Sequence, residues 1–233
     1  NEILLVDLIR QTGQIDSNSV KKVIEENQVQ FDQLISIEAP TIPELDFSAQ
    51  IFNRDGSKAE NCINGARCFG KYVFDTGLLD KEELLVGIEK NKWKISHPEK
   101  NAYAVEQEIS DLNSGKDLLP KPNPSGLHTL VLEDDTLEVG YVNLGNPHAI
   151  NFTKKINDMP LDNWGHCLQG SEWFPEGVNL TLAEMRSPRE INIRVFERGV
   201  GETLACGSGA CATVVLGLQL GYLQQEVKVN FKK

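Results

Sequence analysis

The sequence predicts an α+β protein of two similar domains, and three observations predict it: an internal repeat, many short strand-like runs with few helical ones, and one linker-like stretch. The repeat pairs Ile51-Phe52-Asn53-Arg54, leading to Cys62-Ile63-Asn64-Gly65-Ala66, with Val195-Phe196-Glu197-Arg198, leading to Cys206-Gly207-Ser208-Gly209-Ala210. The two stretches lie 144 positions apart, and in both Phe precedes Cys by ten residues and Arg by eight. Self-similarity of this kind marks duplicated architecture. The stretch 110–126 holds Pro120, Pro122, Pro124, Gly115 and Gly126, the one linker composition in the chain. The predicted domains are therefore 1–112, carrying Cys62, and 113–233, carrying Cys206.

Alternation of apolar and polar residues marks the strands in order. The first half offers Ile3 to Leu8, Asp32 to Glu38, one continuous run from Leu45 to Phe52, Glu83 to Ile88, Lys92 to Ser96 and Ala102 to Gln107. Helices are expected after Asp16 and after Cys62, the second closed by a C-cap at Gly77. The second half offers Leu127 to Leu132, Leu137 to Leu144, His148 to Phe152, Val178 to Ala183, Ile191 to Phe196 and Glu226 to Phe231. A long helix follows Cys206 and closes near Gly221. Its segment from Ser208 to Tyr222 is apolar on nearly every face, which predicts a helix buried at the centre of its domain.

Composition narrows the function classes. A net charge of -11 in 233 residues argues against nucleic acid or an anionic membrane as partner, because phosphate binding rests on clustered Lys and Arg. No apolar run approaches the roughly 18 residues of a membrane span, and no stretch reads as a signal peptide. Five cysteines in a chain of this length fit reduced thiols in a cytoplasmic protein.

Cysteines at helix starts feel the positive end of the helix dipole and its free N–H groups, so the thiols of Cys62 and Cys206 are expected to ionise readily. The same N–H groups suit a carboxylate. Two opposed thiols can take a proton from one face of a carbon and return one to the other. The plainer alternative makes both cysteines small buried packing residues, the role expected of Cys68, Cys167 and Cys211. Core packing alone gives no reason for one Cys-x-x-Gly-Ala register in both halves. No Cys-x-x-Cys or His-x-x-x-His completes a metal set, and no pattern speaks for phosphate loops, pyridoxal, flavin or nicotinamide, so neither metal nor cofactor is expected.

Cys206-Gly-Ser-Gly-Ala-Cys211 behind Glu197-Arg198-Gly-Val-Gly-Glu-Thr, Asn53-Arg-Asp-Gly-Ser57 ahead of Cys62-Ile-Asn-Gly-Ala-Arg-Cys68, Phe31-Asp-Gln33 and Gly145-Asn-Pro-His148 together resemble the diaminopimelate epimerase family over nearly the whole chain. The resemblance implies two pseudo-symmetric domains, each a curled, mostly antiparallel sheet around a central helix. It also implies a cofactor-independent, commonly homodimeric enzyme of lysine and peptidoglycan biosynthesis that interconverts LL- and meso-diaminopimelate. On that resemblance Cys62 and Cys206 are the proton-transfer pair, and Asn64, Gly207 and Ser208 hold the reacting carboxylate. Asn53, Asn146, Asn179 and Arg198 bind the distal amino-acid end, with Glu197 on its ammonium. Asn1 and Gln33 are further substrate contacts, and His148 is a supporting residue.

Departures from the family pattern leave two other readings open: a related pyridoxal-independent racemase or isomerase, and a catalytically impaired paralogue acting as a binding protein. The chain is expected to be short of the family at both ends, and the loop before Phe31 is altered. Ile63 stands where the pattern has Gly, so a backbone conformation hostile to a β-branched residue is expected there, with a slow enzyme as its consequence.

Overall fold

A computed structural model of the chain describes residues 2–27, 29–89, 91–99, 102–108, 111–132 and 135–231. The fold divides into two compact units, Asn1–Ile109 and Ser110–Lys233.

The first unit runs β1 (Ile3–Asp7), α1 (Ser17–Asn27), β2 (Gln33–Ile37), β3 (Phe47–Ala49), β4 (Ile51–Asn53), α2 (Ile63–Thr76), β5 (Glu83–Ile88), β6 (Asn91–Glu99) and β7 (Ala102–Gln107). Helix α1 starts where Asp16 accepts the Ser19 amide at 2.7 Å, satisfying one of the donors a helix start leaves open. Two sheets form, β1-β2-β4 and β3-β5-β6-β7. The run expected as one strand is two: β4 joins β2 antiparallel, whereas β3 joins β5 in parallel. Gln50 makes the break, its amide N–H donating to Ser36 Oγ at 2.9 Å and its side-chain amide to Glu38 Oε1 at 3.0 Å. Those bonds let the chain leave one sheet for the other without orphaning backbone.

Helix α2 lies where both sheets can cover it. Ala66, Phe69 and Val73 share a core with Ile35, Ile37, Ile51, Leu84, Val86, Trp93 and Ile95. Its end is set by Gly77, whose φ of 60° fits the left-handed cap that an L side chain resists.

The second unit holds β8 (His128–Val131), β9 (Thr136–Asn143), β10 (Pro147–Thr153), α3 (Leu161–Leu168), β11 (Asn179–Ser187), β12 (Glu190–Glu197), β13 (Gly201–Thr203), α4 (Gly207–Gln219) and β14 (Lys228–Phe231). Its sheet runs β13-β12-β11-β10-β9-β8, with β14 also on β12. Most pairs are antiparallel; β10·β11 and β12·β14 are parallel. Strand alternation sends Leu180, Leu182 and Phe196 to a core with Leu161, Trp164 and Leu168 of α3. The opposite face carries Thr181 and Val195 to the start of α4, where both lie within 3.3 Å of the position a Gly209 Cβ would take.

Helix α4 corrects one expectation. Only Ser208, Gly209, Ala212, Thr213, Leu216 and Gly217 are buried, whereas Cys211 and Leu218 on the opposite side are exposed. The sheet covers one stripe, at i, i+4 and i+8, so an all-apolar helix is not buried all round. Cys68 and Cys167 are exposed as well, against the expectation that they pack inside, because each sits on the outer side of a helix whose apolar stripe faces the core.

Candidate active site

Local chemistry builds each cysteine site from a strand, a loop and a helix start. In the first unit Cys62 is the N-cap of α2, in extended conformation, and its Sγ accepts the Gly65 N–H at 3.2 Å. Gly65 is required there: a Cβ would fall 2.1 Å from Ile35 Cδ1 and 3.1 Å from Cys62 Sγ. Cys206 is the N-cap of α4 in the same way, with Gly209 N–H donating to its Sγ at 3.4 Å. The repeat seen in the sequence is thus a repeated capping device in which sulfur replaces the usual Ser or Asp oxygen.

Around Cys206 the second unit draws in most of its predicted residues. Ser208 Oγ lies 3.5 Å from Cys206 Sγ, and Asn146 Nδ2 donates to Ser208 Oγ at 3.4 Å. Asn146 Oδ1 faces His148 Nε2 at 3.0 Å, which makes Nε2 the protonated nitrogen. Asn179, the register partner of His148 across β10 and β11, accepts the Arg198 amide at 2.9 Å and donates to the Pro147 carbonyl at 3.2 Å. Arg198 also donates Nη1–H to the Glu176 carbonyl at 3.4 Å. Glu197 accepts the Thr203 hydroxyl and lies close enough to Cys206 for its charge to act on the thiol.

The electrostatics overturn the expected easy ionisation of Cys206. Burial, then the Glu197 carboxylate, push its thiol up to about 12, although Ser208 and the Gly209 amide pull the other way. Desolvation outweighs the helix dipole, which is worth only about 0.3 to 2 kcal/mol. At neutral pH Cys206 therefore carries its proton. His148 is pushed the opposite way, down to about 3, by complete burial and then by the Arg198 charge. It is neutral, and its Nδ1 has no hydrogen-bond partner among the described residues.

In the first unit, Gln33 and Asn53 are register partners across β2 and β4, and Gln33 Nε2 donates to Asn53 Oδ1 at 3.1 Å. Asn53 Nδ2 donates to Ser57 Oγ at 3.0 Å. Asn64 is half-buried in the first turn of α2, and Gly207 opens α4. Asn1 lies outside the described residues. Neither Ile63 nor Gly207 has a positive φ; both stand as ordinary first residues of a helix. The backbone hazard expected at Ile63 is absent because the first helical position asks only for right-handed φ, which Ile adopts.

Two residues escaped the sequence reading. Asn61 is buried immediately before Cys62, accepting from Trp93 Nε1 at 3.1 Å and donating to Gln107 Oε1 at 2.8 Å. Thr203 holds Glu197. Single polar residues next to a cysteine motif carry no periodic signal that would single them out.

The family model for diaminopimelate epimerase matches residues 1–109 and 140–233. A diaminopimelate epimerase from Acinetobacter baumannii (strain AYE) is 36% identical over 235 residues, covering 99% of this chain and 83% of that protein. The chain belongs to the diaminopimelate epimerase family. As a member of it, the protein is an isomerase of the epimerase class. Solved structures extend the fold more widely. A hydroxyproline epimerase from Agrobacterium vitis with bound trans-4-hydroxy-L-proline is similar with a TM-score of 0.63 at 11% identity, over 88% of this chain and 65% of that one. A phenazine biosynthesis protein of the PhzF family from Bacillus anthracis has a TM-score of 0.56 at 15% identity, over 91% and 72%. Both share the diaminopimelate epimerase-like fold. Among the described residues no helix is long and apolar enough to cross a membrane, and no group of three His, Cys, Asp or Glu side chains is placed to hold a metal.

Proposed function

We propose that this chain interconverts LL- and meso-diaminopimelate by proton transfer between two cysteines, Cys62 and Cys206, with no cofactor. The observation that carries the reading is the matched pair of thiol-capped helices, each sulfur fixed by the amide of the Gly three residues on. Fixing both sulfurs before substrate arrives supplies orientation in advance, and a positioned acid or base contributes roughly 10²- to 10⁴-fold.

Roles follow from the local chemistry. Cys206, held protonated, is the acid that delivers a proton to the carbanion, while Cys62 as thiolate takes one from the other face. In the reverse direction the two exchange roles: Cys206, left as thiolate once it has given up its proton, takes one from the substrate, and Cys62, which then carries a proton, returns one to the other face. The amides of Gly207 and Ser208 belong to the first turn of α4, where no helical carbonyl satisfies them, and they suit the reacting carboxylate; Asn64 does the same at α2. Donors aimed at the charge that develops on that carboxylate each contribute about 2.7 to 4 kcal/mol, which is where most of the acceleration arises.

The distal amino-acid end is assigned to Arg198, Asn179, Asn146, Asn53 and Gln33, with Asn1 as a further contact. Arg198 offers a planar fork to a carboxylate, and the amides add donors and acceptors without charge. Glu197 is half-buried beside the Cys206 thiol and adjoins Arg198 in sequence, so it can serve the distal ammonium as well. Neutral His148 supports Asn146 from behind. The reading places the protein in lysine and peptidoglycan biosynthesis, in the cytoplasm, as a homodimer of two-domain chains divided near residue 112; its small-molecule substrate and net charge of -11 leave nucleic acid without a role.

Chiral chromatography after incubation with LL-diaminopimelate, meso-diaminopimelate, L-proline and trans-4-hydroxy-L-proline tests the reading. Interconversion of the two diaminopimelates alone is expected. Turnover of a proline substrate with none of diaminopimelate would replace it with the racemase alternative, and no turnover of any would favour the impaired paralogue.

A further inference from the structure

We propose that Asn61 is a positioning residue that sets the orientation of the Cys62 thiol, an inference that rests on Cys62 being one of the two proton-transfer groups. Asn61 is the residue before the helix cap and is only 7% exposed. Its Oδ1 accepts the indole N–H of Trp93 at 3.1 Å, and its Nδ2 donates to Gln107 Oε1 at 2.8 Å. Trp93 and Gln107 are register partners across β6 and β7, so the amide is clamped by two neighbouring strands at one level of the sheet.

The clamp reaches α2 twice. Trp93 is fully buried and meets Phe69 edge-on at 6.4 Å, and Phe69 lies two turns into the helix that Cys62 caps. The same indole therefore fixes the helix body through Phe69 and the entry to the helix through Asn61. Rotation of the peptide before Cys62 would break both amide bonds in a buried site, and a buried polar group left unpaired costs about 1 to 3 kcal/mol. With that rotation blocked, Sγ stays on the Gly65 amide.

The second copy of the repeat lacks the device. The residue 144 positions on is Ala205, which has no polar side chain to clamp, and the Cys206 sulfur has Ser208 and Glu197 beside it. Cys62 is thus braced through the side chain of the residue before it, a brace that Ala205 cannot give Cys206. Perturbing Asn61 should accordingly move one thiol and spare the other, an asymmetry that general loosening of the protein would not produce.

The test is iodoacetamide alkylation of the full chain without substrate across a pH series, read by peptide mapping at Cys62 and Cys206 together, in wild type, Asn61→Leu and Gln107→Leu. Asn61→Leu keeps side-chain volume and removes both bonds. The expected result is a Cys62 profile displaced to higher pH with its rate at about pH 7.5 lowered at least about threefold, and a Cys206 profile unchanged. Epimerase kcat should fall by up to roughly 10²-fold with KM little altered, since misplacement on the order of 1 Å suffices for that. An unchanged Cys62 profile in folded Asn61→Leu protein, or equal movement at both cysteines, overturns the proposal. If Asn61→Leu does not fold, Gln107→Leu decides by the same reading, with a smaller displacement confined to Cys62 expected. Because alkylation needs no substrate, a wild-type enzyme inactive on diaminopimelate would sink the assigned reaction while leaving this result to stand or fall separately.

Discussion

His148 makes the stability of the second unit depend on acid in a calculable way. Its ring is completely buried on β10, the Arg198 charge lies nearby, and among the described residues Nδ1 has no acceptor for a second proton. Moving its proton affinity from 6.5 down to about 3 costs the charged form roughly 5 kcal/mol, at about 1.36 kcal/mol per tenfold change in affinity. That approaches the 5 to 15 kcal/mol that holds a typical domain together, about which one residue seldom decides so much. The sign follows from the depressed value: the unfolded chain takes up a proton near pH 6.5 and the folded chain does not until about pH 3. Stability from a neutral His148 is therefore complete above about pH 6.5 and drains away as pH falls through about 3, at about 1.36 kcal/mol per pH unit. Urea unfolding at about pH 7.5 and about pH 4.5 should cost wild type about 2 to 3 kcal/mol more between the two conditions than His148→Gln, whose amide cannot titrate. The fixed packing cost of Gln cancels in that difference. Parallel losses in the two proteins, or an NMR titration of His148 near its ordinary value in the folded state, would refute the reasoning.

The other expectations concern the cysteine sites and their supports. Glu197→Gln removes the carboxylate beside Cys206, so the thiol should fall from about 12 and its alkylation in mild alkali should quicken; an unchanged Cys206 profile would show that burial acts alone. Gly209→Ala places a methyl 3.2 Å from Val195 Cγ2, 3.3 Å from Thr181 Oγ1 and 3.4 Å from Cys206 Sγ, and should lower kcat more than stability. Gly165→Ala meets the Phe196 ring at 2.3 Å and should do the reverse, costing about 1 to 3 kcal/mol of unfolding free energy with activity per folded molecule retained. Ile63→Gly should leave kcat/KM within about threefold, because the helix start it would relax is unstrained; a gain of about tenfold would restore the view that Ile63 impairs the site.

How far the sequence foretold this molecule depends on whether the signal was periodic or contextual. The paired motifs at Cys62 and Cys206 located both helix caps because each combines a strand, a fixed loop and a small residue that close approach demands. Strand positions followed from alternation, but the break at Gln50 did not, since it is made by side-chain bonds to Ser36 and Glu38 far away in sequence. Helix α3 escaped notice although Leu161, Trp164 and Leu168 keep helical spacing, because it has eight residues and no side-chain cap. The open side of α4 escaped for the opposite reason: apolar residues all round say nothing about which side a sheet will cover. The high affinity of Cys206 for its proton was the largest departure. A helix start alone favours thiolate, and only the fold reveals that burial and Glu197 outweigh it.

Proton exchange at the reacting carbon tests the two-thiol account most directly. With LL-diaminopimelate in D2O, the inverted centre of the meso product should carry one solvent deuterium, because the group that abstracts and the group that donates are different and the donor has exchanged. Cys62→Ala and Cys206→Ala should each abolish that turnover, while Cys68→Ala, Cys167→Ala and Cys211→Ala, at exposed positions, should preserve it. Full activity in either Cys62→Ala or Cys206→Ala, or product whose inverted centre retains the original protium, would contradict the account.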